Sequence, residues 1–388
     1  MLTEHSPIVE RSIIDAPTGI QAVIDVLSRD GYRVLGPTLK DDAIVYGDVS
    51  RVTDLPIGWT DIQAPGRYQL KRRCDRALFG FAVGPHSWKH FLYPPNARVF
   101  SARKTRDGVI FTPVDEAPGK LALLGVRACE LNAIQVHDRV LHDGPFADPS
   151  YASRRRQMFV VAVNCSHAGG TCFCVSLACG PAVEAGFDLA LTELTPAFRD
   201  AILVEAGSEA GIAVLAQIAR QSATQEHVAA AHAVVQQTAT QMGRTMQTEG
   251  IKELLQNNPH LPRWKTVADR CLTCGNCTMV CPTCFCTTVE DHSDISGENA
   301  ERIRSWDSCF TLDFSYLHGG SVRSSASSRY RQWLTHKLAN WIDQFGTSGC
   351  VGCGRCITWC PVGIDITEEV AALKAEFEAA SAQGDGDA

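Results

Sequence analysis

One cysteine pattern occurs twice in this chain of 388 residues. Each copy has four cysteines in the order C-x2-C-x2-C-x3-C, followed directly by a proline. The two copies are Cys271, Cys274, Cys277, Cys281 with Pro282, and Cys350, Cys353, Cys356, Cys360 with Pro361. Bacterial ferredoxins bind [4Fe–4S] clusters through this spacing. The pattern therefore predicts that the C-terminal part of the chain folds around two inorganic cores.

The spacing also predicts how the ligands are divided between the two clusters. Three thiolates at this spacing reach one cube of iron and sulfide, and the fourth cysteine commonly ligates the neighbouring cube. The sequence therefore predicts crossed ligation. The two expected ligand sets are Cys271, Cys274, Cys277 and Cys360 for cluster 1, and Cys350, Cys353, Cys356 and Cys281 for cluster 2.

Two other uses of cysteine compete with this interpretation. Structural zinc sites also use Cys-x2-Cys pairs, but they need four ligands in two pairs rather than a dense run of four that is then repeated. A disulfide framework is typical of short secreted chains. The spacing favours two clusters over both, and a zinc module predicts a colourless protein without acid-labile sulfide.

Composition limits the classes of partner. The net charge is −7, which argues against nucleic acid because phosphate binding needs a basic surface. No run of eighteen apolar residues occurs, so no direct insertion into a membrane is expected. Residues 1–20 lack the basic and apolar regions of a secretory signal. Free thiolates and oxygen-sensitive clusters suit a reducing compartment, so we expect a cytoplasmic protein.

The pattern of apolar residues predicts an α+β protein with three parts. Residues 1–222 have the short β-branched runs and helical stretches of an α/β domain, with a buried strand expected at residues 159–163. Residues 223–262 read as a helical connector. Residues 263–388 read as a mainly α-helical ferredoxin domain with two [4Fe–4S] clusters, because aromatic residues recur at helical spacing between the two cysteine runs.

Four further cysteines indicate an extra site in the α/β domain. Cys129 follows the expected strand at residues 121–126, Cys165 follows the strand at 159–163, and Cys172 and Cys174 lie on the next loop. If those strands are neighbours, their ends bring the four thiols together, where open α/β sheets usually bind cofactors. A third [4Fe–4S] cluster is one interpretation. Burial as small apolar side chains is the other.

Three cysteines close to the first run are interpreted differently. Cys284, Cys286 and Cys309 are expected to pack beside the first run as buried side chains, or to tune the cluster as neighbours that hydrogen-bond to it. The chain has no G-x-G-x-x-G motif and no Walker A motif, so a nucleotide fingerprint is missing. These features favour an electron conductor without a catalytic residue of its own.

Several segments resemble one known family over nearly the whole length of the chain. They are GVRACEL (125–131), NC (164–165), TCFC (171–174), CPTCFC (281–286), WDSC (306–309) and GCVGCGRC (349–356). The chain resembles the beta subunit of sulfhydrogenase-type, NAD(P)-linked [NiFe]-hydrogenases and its relative, the iron–sulfur subunit of anaerobic sulfite reductase. It departs from that pattern at Ala128, where proline is expected, which affects the local turn but not Cys129.

The resemblance implies an electron-transfer subunit of a cytosolic, multi-subunit oxidoreductase. In the hydrogenase type, electrons pass between a partner subunit that binds flavin (FAD) and NAD(P) and the small and large hydrogenase subunits. In the sulfite reductase type, the catalytic partner contains sirohaem. A self-contained Fe–S and flavin oxidoreductase is a further alternative, and flavin bound to the isolated chain distinguishes it from the relay.

Overall fold

The computed structural model describes residues 10–113, 119–194, 198 and 200–384. The strands are β1 (Glu10–Asp15), β2 (Arg33–Lys40), β3 (Ala43–Asp48), β4 (Trp59–Ala64), β5 (Arg67–Arg72), β6 (Asn96–Thr105), β7 (Gly108–Pro113), β8 (Leu121–Val126), β9 (Met158–Val163), β10 (Leu189–Glu193), β11 (Ala201–Ala206), β12 (Gln221–Ser222), β13 (Thr287–Ser293), β14 (Asn299–Trp306), β15 (Tyr316–Leu317) and β16 (Gly320–Ser321).

The helices alternate with these strands in the first half of the chain and dominate its end. They are α1 (Ala16–Arg29), α2 (Lys89–Leu92), α3 (Ala128–Leu141), α4 (Pro149–Arg156), α5 (Glu209–Leu215), α6 (Gln225–Thr240), α7 (Ile251–Asn257), α8 (Arg263–Arg270), α9 (Asn276–Met279), α10 (Ala326–Thr335), α11 (Trp341–Phe345), α12 (Arg355–Thr358) and α13 (Ile366–Gly384). A π-helical turn, His336–Asn340, joins α10 to α11.

The main sheet has the strand order β12-β1-β11-β10-β9-β8-β2-β3. Its centre is parallel, since β2, β8, β9 and β10 run in one direction, and antiparallel strands complete both sides. The expected neighbours at residues 121–126 and 159–163 are β8 and β9, which pair directly. The predicted α/β character of the first part is therefore confirmed in its central strands.

The central strands are buried on both faces, as parallel sheets require. In β8, Ala122 and Leu124 face the core that contains α1 and α5, whereas Leu121 and Leu123 face the core formed with α3 and α4. This alternation follows from the two-residue period of a strand. It explains why β8 and β9 are runs of continuously apolar residues rather than alternating ones.

A second sheet joins distant parts of the chain. Its order is β13-β14-β6-β7, so a hairpin from the first part of the chain pairs with a hairpin located between the two cysteine runs. The expectation of a mainly α-helical ferredoxin domain is therefore not confirmed. The segment between the runs begins with two long strands, and only its second half is helical. The sequence did not predict this hairpin because its pairing partner, strand β6, lies far away in the sequence.

The remaining helices form an apolar core beside the cysteine runs. This core contains Trp264, Phe310, Tyr330, Trp333 and Leu334, which are all buried. The stripe expected between the runs, at Tyr330, Leu334, Leu338, Trp341 and Phe345, extends over α10, the π-helical turn and α11, and its first four residues are buried. Among the helices of the described residues, none combines the length and the apolar character needed to cross a membrane.

Candidate iron–sulfur sites

The sites are defined by which thiols are neighbours of one another. Within residues 10–113, 119–194, 198 and 200–384, no three Cys, His, Asp or Glu side chains meet closely enough to hold one metal ion. The four thiolates of a [4Fe–4S] cube bind four different irons, so they stand further apart than the ligands of one ion. The thiols of one site are therefore recognised by their mutual electrostatic influence and by their hydrogen bonds.

The first site groups three cysteines of the first run with the last cysteine of the second run. Desolvation raises the pKa of Cys277 well above its usual value, and its neighbouring thiols Cys271, Cys360 and Cys274 raise it further. Cys360 likewise precedes Cys274 among the thiols that raise the pKa of Cys271, after desolvation. The chain thus returns Cys360 to the beginning of the ferredoxin segment.

Local backbone geometry makes the first site possible. Thr273 and Gly275 both adopt positive φ, 51° and 73°, so the chain curls tightly between α8 and α9. Two backbone N–H groups point at the sulfurs, since Thr273 donates to Cys271 Sγ at 3.4 Å and Ile364 donates to Cys360 Sγ at 3.3 Å. Such N–H···S contacts stabilise thiolate charge. Cys274 is exposed, which places this site at the surface.

The second site groups three cysteines of the second run with the last cysteine of the first. Desolvation raises the pKa of Cys356 well above its usual value, followed by the influence of Cys350, Cys353 and Cys281. Cys281 is also a charged neighbour of Cys350 and of Cys353. Cys281 therefore neighbours thiols of both runs, whereas Cys360 neighbours Cys271 and Cys277 of the first run, and crossed ligation stays a prediction.

A buried lysine compensates the charge of the second site. Lys337 Nζ donates to Cys281 Sγ at 3.2 Å, to Thr283 Oγ1 at 3.0 Å and to the Gly349 carbonyl at 3.1 Å. Burial alone lowers the pKa of Lys337, but the adjacent thiols, Cys281 first, outweigh burial and hold it well above its usual value. A buried ammonium is stable only beside negative charge. The lysine therefore fits an anionic cluster with thiolate ligands.

The third group lies at the carboxyl ends of β8 and β9, where Cys174 is a neighbour of Cys129, Cys165 and Cys172. Burial raises the pKa of Cys172 to about 12, with Cys165 as its first thiol neighbour. After burial, Cys165 and Cys172 are the thiols that raise the pKa of Cys174 most, and Cys174 is the first thiol that raises the pKa of Cys129. Ligand chemistry and position therefore fit a third cluster, with Cys179 as a further nearby thiol.

The second and third groups are in direct contact. Cys353 is a charged neighbour of Cys129, Cys172 and Cys174. The backbone N–H of Phe173 donates to the Gly352 carbonyl at 2.8 Å, so the two cysteine loops share a main-chain hydrogen bond. Both groups therefore lie at one interface between the main sheet and the cysteine runs.

A buried ion pair holds this interface. Arg355 Nη2 donates to Glu130 Oε1 at 2.6 Å, and the two side chains are 0% and 1% exposed. Glu130 Oε2 also accepts from Tyr46 Oη at 2.7 Å and from Trp88 Nε1 at 3.1 Å. Arg355 lies between two ligands of the second run, so the pair ties that run to the first turn of α3.

Cys284, Cys286 and Cys309 form a further group beside the second site. The Cys284 thiol hydrogen-bonds to Cys281, and Cys309 hydrogen-bonds to Cys286. Lys89 is buried nearby, with its Nζ 3.0 Å from the Cys284 carbonyl and 3.8 Å from the ring centre of Trp306. These thiols lie beside the first run, in agreement with the sequence interpretation.

Sequence reasoning missed the charged residues around the thiols. Lys337 lies on the same helical face as Tyr330 and Leu334, and a lysine inside an apolar stripe was the signal available. Glu130 and Arg355 gave no comparable signal, because each is one charge beside a cysteine and their pairing depends on the tertiary fold. The aromatic stripe was assigned to packing alone.

Residues 270–364 match the family described as the 4Fe-4S dicluster domain. The match covers both cysteine runs and the segment between them. No solved structure matches the chain. Together with the paired cysteine groups, the domain match defines the class: this chain is an iron–sulfur protein with a [4Fe–4S] dicluster domain.

The chain also resembles a protein with a described role. It is 30% identical over 336 residues to sulfhydrogenase 2 subunit beta of Pyrococcus furiosus, covering 86% of this chain and 90% of that protein. The chain therefore belongs to the sulfhydrogenase beta-subunit family, as the sequence motifs indicate. It is an iron–sulfur electron-transfer subunit of the hydrogenase type.

Proposed function

We propose that this chain relays electrons between a [NiFe]-hydrogenase catalytic module and a partner subunit that binds flavin and NAD(P). Two [4Fe–4S] clusters with crossed ligation carry the electrons, one in the first site and one in the second. The observation that supports this most is the position of Cys360 beside Cys271 and of Cys281 beside Cys356. A bound [4Fe–4S] cluster supplies a one-electron redox change.

The protein residues set the geometry and the electrostatics of that relay. The crossed cysteines fix the two sites beside each other, and Cys277 of the first site is a charged neighbour of Cys356 in the second. Lys337 donates to the second site, which favours its more negative state. The apolar core around Trp264 and Phe310 keeps water away from one side of both sites.

We extend the relay to a third cluster held by Cys129, Cys165, Cys172 and Cys174. Cys353 is the shared neighbour of the second and third groups, so the three sites follow one another from the main sheet to the surface. The first site ends this series at the exposed Cys274, beside Leu272, which is 61% exposed. An exposed apolar side chain beside a surface cluster is suited to docking a redox partner.

The family supports the proposed partners. The relative from Pyrococcus furiosus is named as subunit beta of a sulfhydrogenase, which supports a multi-subunit oxidoreductase. We expect the assembly in the cytoplasm, with FAD and NAD(P) bound by a partner subunit. The parts 1–222, 223–262 and 263–388 serve as the third-cluster domain, a connector and the two-cluster domain.

Iron analysis tests the number of clusters. The anaerobically reconstituted chain contains about eight irons if only the two ferredoxin sites are filled and about twelve if the third group also binds a cube. Cys172→Ser removes about four irons if the third site exists. Cys74→Ser is the matched control, since Cys74 is exposed and outside all groups. Equal iron content in wild type and Cys172→Ser contradicts the third cluster.

Purification of the assembly tests the partners. Affinity purification of the tagged chain from its native cells should recover nickel- and flavin-containing subunits together with NAD(P)H-dependent hydrogen chemistry. Recovery of a sirohaem protein instead favours the sulfite reductase type. Flavin bound to the isolated chain, with turnover of artificial donors, contradicts the relay and favours a self-contained enzyme.

A further inference from the structure

Cys286 and Cys309 lie at the open end of the β13–β14 hairpin. Thr287 and Trp306 are the last paired residues of that ladder, and the Asp307 N–H donates to the Cys286 carbonyl at 2.9 Å. Cys286 thus faces the residue two positions before Cys309. The short turn that follows β14, closed by a Thr311 N–H to Ser308 carbonyl bond of 2.8 Å, brings Cys309 back toward Cys286.

The side chains of Cys286 and Cys309 are hydrogen-bonded to each other. Both the thiol and the backbone N–H of Cys309 donate to Cys286. The thiol bond, as the main cause, lowers the pKa of Cys286 to about 7, whereas the same bond and then burial raise the pKa of Cys309. One thiol is therefore a thiolate near neutral pH and its partner keeps a proton. This asymmetry is typical of a nucleophilic cysteine with a resolving cysteine.

This pair lies next to the proposed clusters. Cys284 is a charged neighbour of Cys286, and the Cys284 thiol in turn bonds to Cys281 of the second site. Cys309 is also a charged neighbour of Cys277 in the first site. Since both pair members are only partly buried, small reagents can reach them. The dithiol pair therefore lies beside both ferredoxin sites, where it can exchange electrons with bound clusters.

We propose that Cys286 and Cys309 form a redox-active dithiol that alternates with an intramolecular disulfide. The proposal rests on the proposed function, because the clusters supply the electrons. In the reductive direction, the Cys286–Cys309 disulfide takes up two electrons, delivered singly by the second-site cluster, and two protons, which gives two thiols. The dithiol converts the one-electron steps of the clusters into a two-electron step.

The external substrate class is a small organic disulfide, RSSR. The Cys286 thiolate attacks one sulfur of RSSR, so a mixed disulfide forms and one RS⁻ leaves. The Cys309 thiol then loses its proton and attacks Cys286 Sγ, which closes the Cys286–Cys309 bond and releases the second RS⁻. Lys89 and Lys337, both buried beside this group, stabilise the developing thiolate charge.

The experiment uses the full chain with its clusters reconstituted under anaerobic conditions. The protein is incubated with hydroxyethyl disulfide, free thiols are blocked with iodoacetamide, and peptides are analysed by mass spectrometry without reduction. We expect a peptide that joins Cys286 to Cys309. Later addition of titanium(III) citrate should make both cysteines alkylatable in the cluster-loaded protein, and much faster than in protein stripped of iron by a chelator.

Three variants make the result decisive. Cys286→Ser and Cys309→Ser should each abolish the cross-link while they keep the iron content and the low-temperature EPR signal of the reduced clusters. Cys74→Ser should change neither, since Cys74 is exposed and remote from the group. Iron loss in Cys286→Ser makes these cysteines cluster ligands and overturns the dithiol. Wild-type protein that has normal clusters but forms no cross-link overturns it as well, whereas absence of iron in the wild type overturns the proposed function instead.

Discussion

The Glu130–Arg355 ion pair should be the main electrostatic support of the interface between the main sheet and the second cysteine run. The informative change is Glu130→Gln, which keeps the side-chain volume and removes the charge. Arg355 then keeps its bonds to the Gly84 and His86 carbonyls, both 2.8 Å, but loses its anionic partner. Water cannot replace that partner, because both side chains are at most 1% exposed.

The magnitude follows from burial. Removing one member of a buried ion pair costs about 3–5 kcal/mol, since the remaining charge is left uncompensated. At about 1.4 kcal/mol for each factor of ten, the population of open molecules should rise by roughly two hundred to several thousand times. The amide of Glu130→Gln also offers one acceptor oxygen in place of two, so it cannot serve both Arg355 and the Tyr46–Trp88 pair, which acts in the same direction.

Native-state proteolysis of the cluster-loaded protein measures this opening, because cleavage tracks the open population when closing is fast. We expect Glu130→Gln to be cleaved at least one hundred times faster than wild type, by roughly the lower bound of the free-energy loss. The matched control is Asp291→Asn, whose partner Arg302 is exposed and remains solvated. Cleavage of Glu130→Gln within threefold of the Asp291→Asn rate would refute the reasoning.

Three further changes test separate parts of the structure. Lys337→Met removes the 3.2 Å donor to Cys281 and should lower the second-site potential by up to roughly 100 mV in an EPR-monitored titration, from a lost bond of about 1.5–3 kcal/mol; an unchanged potential contradicts this. Burial, followed by the charge of Lys89, lowers the pKa of His137 to about 3. The neutral histidine therefore stabilises the fold fully above about pH 6.5, and its contribution to the free energy of unfolding falls by about 1.4 kcal/mol for each pH unit below that value. Guanidinium unfolding at pH 7.5 and 5.5 should therefore show a smaller pH slope in His137→Leu than in wild type, and equal slopes refute it. Gly352→Ala places a methyl 2.6 Å from neighbouring backbone atoms at φ +65°, so its melting temperature should fall well below that of Gly297→Ala, which has φ +68° and open space; equal values refute the close contact.

The prediction of the cluster sites depends on local information. The spacing of each run fixes three ligands within one turn of chain, and the crossing of the fourth is a property of that spacing. The pairing of β8 with β9 was predictable, since both are short, apolar and separated by the helices α3 and α4. This pairing places the carboxyl ends of the two strands, which Cys129 and Cys165 follow, at one edge of the sheet.

The mixed sheet was not predictable by the same reasoning. Strand β14 pairs with β6, nearly two hundred residues earlier, and no local pattern in either strand specifies that partner. Strand β13 has one apolar residue, Val289, in an otherwise polar and mostly exposed run, which gives a weak strand signal. The ion pair of Glu130 with Arg355 was missed for the same reason, since it joins two segments that only the tertiary fold brings together.

The variant Cys360→Ser distinguishes crossed from uncrossed ligation of the two proposed clusters. We predict that reduced, anaerobic Cys360→Ser loses the same EPR signal and the same iron as Cys274→Ser, because both variants remove a ligand of the first site although the two cysteines belong to different runs. A Cys360→Ser spectrum that matches Cys353→Ser instead, with the Cys274 signal intact, contradicts it.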